Sequence, residues 1–348
     1  SFYTITQIMY LVDCYEGLNP RKSWIQYSAF VAFFPSITAG PLLRARHFFS
    51  QFNIALDSAG RHALIVRSGG LIAVGLLKKM VLANSFAAVA DVGYASIGKL
   101  STIEAWIFTL AGTFEVYFDF SGYSDIAFGS AGLLGIRSVR NFNIPFRAVT
   151  ISDFWKRWHI SLSDFITTYL YTPIIRRLGK ATLRTSAIAS ILAMLIAGLW
   201  HGATWNFLLF GFLHGAALAF YQYWKRLRWT LPKSLATIAT FLFVHVAFIS
   251  VSTTHISETL LMAAALVPGQ DGLALNTLAG VFATRESLVM LLPLVAGSVL
   301  AFAGPTAEEF TSKLTPGFAA EILIVLLLIV SYVYADASAV TEFRYRQF

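Results

Sequence analysis

The chain has 348 residues, of which 57% are hydrophobic and only 13% are charged, whereas soluble domains carry roughly 25% charged residues. This composition excludes an ordinary cytosolic enzyme, a disordered regulator and a nucleic-acid-binding module, and it predicts a protein embedded in a lipid bilayer. The formal net charge of +8 fits this prediction, because Lys and Arg collect in the cytoplasmic loops of membrane proteins and beside anionic headgroups.

Apolar segments follow one another along the chain at the length that a membrane crossing needs, about 20 residues. The predicted spans lie at residues 24–40, 62–82, 101–120, 185–200, 203–223, 234–252, 286–304 and 319–336. A segment near 1–16 is interpreted as the remainder of another span, and the stretch near 256–268 is too short to cross and is expected at the membrane surface. Because the chain begins at Ser1 without a signal-peptide pattern, we expect further spans upstream and treat residues 1–348 as one membrane domain.

Clusters of Lys and Arg separate several of these segments. They comprise Lys78 and Lys79; Arg176, Arg177, Lys180 and Arg184; and Lys225, Arg226, Arg228 and Lys233. Under the positive-inside rule each cluster is a candidate for the cytoplasmic side. They cannot all be cytoplasmic if every intervening segment spans, so the sequence leaves the topology open.

Residues 137–180 depart from the membrane pattern, since they are dense in polar and aromatic side chains. Tryptophan gathers at membrane–water interfaces, and Trp155 and Trp158 are therefore expected at that boundary. A side-chain oxygen of Ser152 or Asp153 is suited to cap a helix that begins here. We predict one or two short interfacial or re-entrant helices in this segment.

Three carboxylates, Glu115, Asp119 and Asp125, interrupt an apolar stretch that reads FEVYFDFSGYSDIAFG. Placing an ionisable group inside hydrocarbon costs free energy, so such a group indicates a function. Glu115 and Asp119 lie four residues apart, on one face of a helix, where like charges repel. Two interpretations stay open: a functional cluster, or carboxylates that hold basic side chains and helix N-termini in place.

His159 lies in the sequence DFWKRWHISLSDF, two residues after Arg157. Histidine is the side chain best suited to general acid–base chemistry near neutral pH, although an interfacial His that bonds a backbone carbonyl fits the same context. His159 and Asp164 also match the H-x4-D spacing of the soluble-faced glycerolipid acyltransferases. The glycine- and proline-containing blocks that accompany that motif are not found.

His201 is the strongest candidate for a catalytic residue. It lies in an uncharged membrane stretch, AGLWHGATWNFLLFGFLHGAALAF. A lone His on an apolar face is usually a satisfied core residue, but small residues around this one leave room for a ligand or let helices approach closely. Those residues are Gly198, Gly202, Gly211 and Gly215. His214 lies too far round a helix from His201 to share a metal with it, and His245 is expected to pack or to form a helix–helix hydrogen bond.

No nucleophile, phosphate-binding or zinc motif accompanies these histidines, since the sequence lacks G-x-S-x-G, G-x-x-x-x-G-K-[ST], G-x-G-x-x-G and H-E-x-x-H. The single cysteine, Cys14, cannot form an intramolecular disulfide. We therefore expect no metal and no bound cofactor. Histidines without a nucleophile suit direct transfer, in which His deprotonates an incoming hydroxyl.

Five blocks of the chain resemble the membrane-bound O-acyltransferases (MBOAT), and among them the bacterial AlgI-like branch of polysaccharide O-acetyltransferases. The blocks lie at residues 1–13, 33–44, 116–136, 141–166 and 198–218. The last two contain the sequences FWKRWHISLSDFI and GLWHGATWNF, which carry His159 and His201. All five follow one another in the expected order.

The resemblance implies an all-α, polytopic acyltransferase of the bacterial inner membrane, with a helical core around a transmembrane tunnel. It implies that His201 is the catalytic base and that His159 is a second required residue nearby. An acyl group, expected to be acetyl from acetyl-CoA or another cytosolic thioester, would pass through the tunnel to hydroxyls of an extracytoplasmic polysaccharide. The transfer would be direct or would use a periplasmic SGNH-type acetyltransferase partner.

Further side chains near these histidines are expected to bind donor or acceptor. They are Trp200, Trp205, Asn206, Asp153, Lys156, Arg157 and Asp119. The first three are expected to shape the pocket, and the cations at 156 and 157 to meet the phosphates of the donor. After His159 the chain reads ITTYLYTPIIRRLGK and lacks the arginine–aspartate pair and the glycine pair of many relatives. The identities of the acyl donor and of the acceptor are therefore left open.

The alternative function is a transporter or flippase in which the buried carboxylates and histidines relay protons. Transporters often contain two similar halves, and no internal repeat is evident. A scaffold for a polysaccharide-export complex is a third possibility, but it gives His201 no role.

Overall fold

The computed structural model describes residues 2–19, 22–52, 57–268, 274–283 and 290–337, and every regular element in these ranges is helical. In chain order the helices are α1 (Phe2–Tyr15), α2 (Trp24–Val31), α3 (Phe34–Ile37), α4 (Ala45–Phe49), α5 (Ser58–Leu76), α6 (Asn84–Ala95), α7 (Thr102–Leu133), α8 (Ile151–Trp155), α9 (Ile160–Phe165), α10 (Thr172–Leu178), α11 (Leu183–His201), α12 (Trp205–Leu227), α13 (Lys233–Ser252), α14 (Ile256–Ala265), α15 (Asn276–Val281), α16 (Leu291–Ala303), α17 (Ala307–Ser312) and α18 (Phe318–Ala337), with π-helical segments at Leu77–Ala83 and Ile166–Tyr171 and a 3-10 turn at Pro145–Arg147. The all-α prediction is confirmed for the described part of the chain.

Four helical stretches among the described residues are long and apolar enough to cross a membrane. They cover Ser58–Ala95, Leu183–His201, Lys233–Ser252 and Phe318–Ala335. They coincide with the predicted spans at 62–82, 185–200, 234–252 and 319–336, and the protein is therefore membrane-bound. The predicted spans at 101–120 and 203–223 fall in α7 and α12, which have 32 and 23 residues but are too polar to join this set.

The predicted span at 24–40 is wrong, because two short helices form there instead of one. α2 ends at Val31 and α3 begins at Phe34, with Phe33 between them in a non-helical conformation. Pro35 has no N–H to donate to the carbonyl of Val31, and a proline inside a helix breaks it for this reason.

Three other apolar segments form helices shorter than a membrane crossing. α14 has ten residues, as predicted for the stretch near 256–268. α16 has 13 residues within the predicted span at 286–304, of which 286–289 lie outside the described residues. α1, predicted as the remainder of a span, has 14 residues.

Glycines let α5 and α7 pack backbone against backbone. A Cβ atom at Gly75 would lie 2.6 Å from the carbonyl oxygen of Gly122, and one at Gly129 would lie 2.6 Å from that of Ser68. A real side chain does not fit at such distances, so the crossing depends on glycine. The close crossing brings the π-helical segment Leu77–Ala83 alongside the carboxylates of α7.

Two lysines of this π-helical segment bind carboxylates of α7. Lys78 Nζ lies 2.6 Å from Asp125 Oδ2, and Lys79 pairs with Asp119. The side chains of Lys79 and Asp119 are 12% and 8% exposed, so each buried charge has its counter-charge beside it. The interpretation that these carboxylates hold basic side chains in place is therefore confirmed for Asp119 and Asp125.

The hairpin of α11 and α12 is packed in the same way. Any side chain at Gly198 or Gly211 would collide with the carbonyl oxygen of Phe207 or of Met194, respectively, and a Cβ atom at Gly215 would lie 2.8 Å from backbone of the facing helix. The predicted close approach of helices at these glycines is confirmed. It brings the end of α11, and with it His201, against the start of α12.

Aromatic side chains fill the space between α7, α12, α13 and the short helices of residues 137–180. The ring of Trp158 lies with its centroid 4.9 Å from that of Phe248 in α13 and 5.0 Å from that of Phe142. Phe248 in turn contacts Phe210 of α12, at 6.0 Å between centroids. This packing fixes the short helices against the long ones, and the site lies at their junction.

Candidate active site

Residues 137–180 form the short helix α8 and, after a tight turn, a continuous helical stretch over 160–178 in which α9, the π-helical segment Ile166–Tyr171 and α10 follow one another. The predicted cap of α8 is wrong: the cap is Thr150, whose Oγ1 accepts a hydrogen bond from the N–H of Asp153 at 3.0 Å. Asp153 lies inside the first turn, where its carboxylate accepts from the N–H of Val149 at 3.1 Å. Ser152 is likewise inside the helix and is not its cap. The prediction of one or two short helices is confirmed for α8 but not for the continuous helical stretch over 160–178, and the depth of both in the membrane stays a prediction.

Asp153 and Arg157 bind each other. Arg157 Nε lies 2.9 Å from Asp153 Oδ1, and the same guanidinium donates to the carbonyl of Asn143 at 3.3 Å. The backbone of Arg157 also accepts from the N–H of Asn143 at 2.9 Å. These contacts hold the turn between α8 and α9 against the preceding loop. Lys156 is exposed, and a donor-binding role for these three residues stays a prediction.

His159 is held in a strained backbone conformation between α8 and α9. Its φ and ψ are 43° and 55°, a left-handed conformation that costs an ordinary residue about 1–2 kcal/mol. Asn141 fixes this turn, because its carbonyl accepts from the N–H of Ile160 at 3.0 Å and its Oδ1 accepts from the N–H of Ser161 at 3.1 Å. Strain of this kind is typical of functional sites whose surroundings over-determine the backbone.

The hydrogen bonds of Asn141 also define the tautomer of His159. Asn141 Oδ1 accepts from the N–H and from the hydroxyl of Ser161, which identifies that atom as an oxygen. His159 Nδ1, 3.3 Å from the same oxygen, must therefore donate its proton, and Nε2 is the basic nitrogen of the neutral ring. Burial holds the pKa of His159 well below its usual value, so the neutral form dominates near neutral pH.

The structure brings His159 and His201 to one buried cavity of about 30 Å³. A single ordered water needs roughly 10–15 Å³, so this space accommodates a reacting group such as a hydroxyl. The cavity is lined by Val116, Trp155, Trp158, His159, Leu162, His201, Phe207, Phe210, Phe248 and Val251. The two histidines are 42 positions apart in the sequence, and only the packing of α11 and α12 against α8 and α9 joins them.

Phe2 of α1 links the two histidines from the side. Its ring centroid lies 6.2 Å from that of His159 and 5.1 Å from that of Trp200, and Trp200 lies 4.6 Å from His201. Phe120 of α7 meets His159 edge to face at 4.6 Å. Aromatic rings thus pack against both imidazoles, of which His159 is buried and His201 is half-buried.

The three residues expected to shape the pocket lie in different places. Trp200 contacts His201, but Trp205 is 72% exposed and lines a separate surface groove beside α14. Asn206 is buried and donates to the carbonyl of Thr253 at 2.7 Å, which ties α12 to the end of α13. The structure therefore brings only Trp200 of this trio to the histidines, because the first turn of α12 directs Trp205 outward.

Trp155 and Trp158 were expected at the membrane boundary, and their depth in the membrane stays a prediction, but their rings face the interior of the protein. They are 8% and 4% exposed and line the histidine cavity. Sequence reasoning also missed Asn141, which occurs in the block NFNIPFR as an ordinary loop residue. Its proximity to His159 depends on a backbone pairing that no spacing in the sequence predicts.

The other predicted polar residues have structural partners. Asp119 pairs with Lys79 and is not among the residues that line the cavity. His245 Nδ1 lies 2.8 Å from the hydroxyl of Thr113, which confirms the predicted hydrogen bond between helices. His214 Nδ1 accepts from the indole N–H of Trp155 at 3.3 Å. Among the described residues, no group of three or more His, Cys, Asp or Glu side chains is arranged to hold a metal ion.

Comparison with known proteins gives a family and several relatives. The sequence model of the membrane-bound O-acyltransferase family matches residues 15–231. The peptidoglycan O-acetyltransferase of Helicobacter pylori is 34% identical over 304 residues, which cover 79% of this chain and 57% of that protein. The Azotobacter vinelandii protein named "Probable alginate O-acetylase AlgI" is 41% identical over 220 residues, covering 63% and 43%. A teichoic acid D-alanyltransferase of Streptococcus thermophilus is 28% identical over 248 residues, covering 67% and 58%.

The chain thus spans about half the length of the curated relatives it matches, 57% of the first and 43% of the second. The family match covers more than half of the chain and includes both histidines of the cavity. The helices that position these histidines are among those that it covers. On this evidence the chain belongs to the membrane-bound O-acyltransferase family.

Proposed function

We propose that this chain carries the active site of an enzyme that transfers an acyl group to hydroxyls of an extracytoplasmic polysaccharide. The relatives support the substrate class, since their names specify peptidoglycan and alginate as the acetylated polymers. The proposed donor is acetyl-CoA or another cytosolic acyl thioester. The proposed location is the bacterial inner membrane, and transfer occurs directly or through a periplasmic SGNH-type partner.

The observation that carries the proposal is the shared cavity of His159 and His201. A general base must lie within hydrogen-bond reach of the proton that it removes, and a cavity of about 30 Å³ holds a hydroxyl beside both rings. In the proposed step, His201 takes the hydroxyl proton as the oxygen forms a bond to the thioester carbonyl carbon. The carbon–sulfur bond then breaks, and the departing thiolate takes the proton back from His201.

His159 acts beside this base. Its Nδ1–H is committed to Asn141, so its Nε2 is the atom that can accept a hydrogen bond from the acceptor hydroxyl and orient it. The rings of Phe2, Trp200 and Phe207 surround the two histidines. They keep bulk water from the thioester, which water would otherwise hydrolyse.

Replacement of His201 by Gln tests the proposal. We expect transfer of labelled acetyl from acetyl-CoA to fall about 10²–10⁴-fold in membranes that contain the variant, as is typical when a general base is lost. The matched control is His62→Gln, because His62 is 52% exposed and bonded to Glu321 at the surface. The control should retain wild-type transfer.

Both variants are compared at equal amounts of membrane-inserted protein, with and without the periplasmic partner. Wild-type transfer by the His201→Gln protein would refute the role of His201 and, with it, the proposed chemistry. Transfer that needs the partner assigns the last step to the partner. Transfer without it assigns the whole reaction to this chain.

A further inference from the structure

A second and much larger cavity lies between α12 and α13, beside the loop that leads into α8. Its volume is about 890 Å³, within the range of roughly 300–1,000 Å³ that is typical of ligand sites. None of its lining residues also lines the histidine cavity. We refer to it as the α12–α13 groove.

Three cations lie at one end of the α12–α13 groove. They are Lys225, Arg228 and Lys233, all exposed. No carboxylate lines the groove, and none of the three cations forms an ion pair within the described ranges. This end of the groove therefore carries an uncompensated positive charge.

The aromatic residues at the same end are those that membrane interfaces favour. Trp224 and Trp229 line the groove beside the cations, with their ring centroids 5.7 Å apart. Tryptophan and lysine together mark the headgroup level of a bilayer. The cationic end of the groove thus has the residue types that are typical of the membrane–water boundary.

The rest of the groove is apolar and runs along a membrane-spanning helix. Ala236, Ala239 and Phe243 continue it from Lys233 along α13. The ten helical steps from Lys233 to Phe243 rise about 15 Å at 1.5 Å per residue, which is half of the roughly 30 Å hydrocarbon core of a bilayer. The groove therefore has the depth of one leaflet, with its charge at the headgroup end.

We propose that the α12–α13 groove is a binding site for one anionic phospholipid, such as phosphatidylglycerol. The phosphate binds the three cations, and an acyl chain lies along the alanines and Phe243. Basic pockets between membrane helices recognise anionic headgroups in this way. The site is separate from the proposed transfer chemistry, because the groove and the histidine cavity share no lining residue.

The test measures lipid binding to the protein purified from membranes, by titration with phosphatidylglycerol and with phosphatidylcholine of the same acyl chains in native mass spectrometry. Each cation near an anionic lipid contributes about fivefold in affinity, so we expect phosphatidylglycerol to bind on the order of 100-fold more tightly. The triple variant Lys225→Gln, Arg228→Gln, Lys233→Gln should lose this preference. Equal affinity of the wild type for the two lipids would overturn the proposal.

Two further variants distinguish lipid binding in the groove from a general attraction of anionic lipid to exposed cations. The triple variant Arg177→Gln, Lys180→Gln, Arg184→Gln removes three exposed cations that do not line the groove, and it should keep the preference. Ala239→Trp fills the apolar part of the groove and should lower the affinity for both lipids. Full affinity for phosphatidylglycerol in the Ala239→Trp protein, or loss of preference in the control, would contradict the assignment.

Adenosine 3′,5′-bisphosphate is added as a competitor, because the phosphates of a nucleotide donor share the chemistry of the headgroup. We expect no displacement of phosphatidylglycerol. Displacement would overturn the lipid assignment and indicate that the three cations bind the phosphates of the acyl donor. Binding is measured without donor or acceptor, so the result does not depend on whether the proposed transfer reaction is correct.

Discussion

Replacement of Asn141 by Leu tests whether this residue positions His159. The change keeps the approximate size of the side chain but removes the oxygen that accepts three hydrogen bonds. Those bonds come from the N–H and the hydroxyl of Ser161 and from Nδ1 of His159. Asn141 is 3% exposed and His159 is 1% exposed, so water cannot replace the lost acceptor.

The magnitude follows from the two N–H groups that lose their partner. A buried donor left without an acceptor costs about 1–3 kcal/mol, so the loss for Ser161 and His159 together is about 2–6 kcal/mol. The hydroxyl of Ser161 keeps a second bond, since it accepts from the N–H of Leu42 at 3.0 Å. A displaced imidazole also lowers catalysis, because a 1 Å misplacement can reduce the rate by about 10²-fold.

Two measurements check this prediction. Acetyl transfer by membranes, normalised to the amount of inserted protein, should fall roughly 10- to 100-fold, and the detergent-purified variant should unfold at a lower temperature. Asn143→Leu is the matched control, because Asn143 lies in the same loop and only its backbone forms hydrogen bonds in the described structure. If Asn141→Leu transfers acetyl at the wild-type rate, the positioning role of Asn141 is refuted.

Three further sets of variants test the packing and the limits of the site. Lys79→Met or Asp119→Leu alone should lower the free energy of unfolding by about 3–5 kcal/mol, because each leaves a buried charge without its neighbouring counter-charge. The double variant should recover most of this loss in thermal denaturation, and no recovery would contradict the pairing. Trp200→Leu should reduce acetyl transfer roughly tenfold or more, whereas Trp205→Leu should leave it unchanged, and equal effects would count against the geometry of the site. Gly211→Leu should destabilise the protein by about 1–3 kcal/mol or more, since its side chain meets backbone of α11; wild-type stability would argue against the close crossing.

Several features that depend on local sequence were predicted correctly, although the single span at 24–40 and the cap of α8 were not. Runs of apolar residues such as 234–252 specify a membrane helix by length and composition alone. Gly198 and Gly211 predicted close helix packing, because a missing side chain permits close approach wherever the partner helix comes from. His201 was also identified from local sequence, since an imidazole in an uncharged apolar stretch needs an explanation within the stretch itself, and its catalytic role stays a prediction.

The tertiary structure decided which distant residues meet. In the sequence, Lys79 belongs to a basic pair and Asp119 to a cluster of carboxylates forty positions away, and only the crossing of α5 and α7 brings the two together. Trp158 is of a residue type that favours membrane interfaces, and the sequence does not show that the neighbouring helices bury it beside the cavity. The role of Asn141 depends on a turn that returns the chain to it twenty residues later, at Ser161. Composition determines the solvent that a segment prefers, whereas the shared cavity of the two histidines arises from contacts between segments and is fixed only when the helices pack.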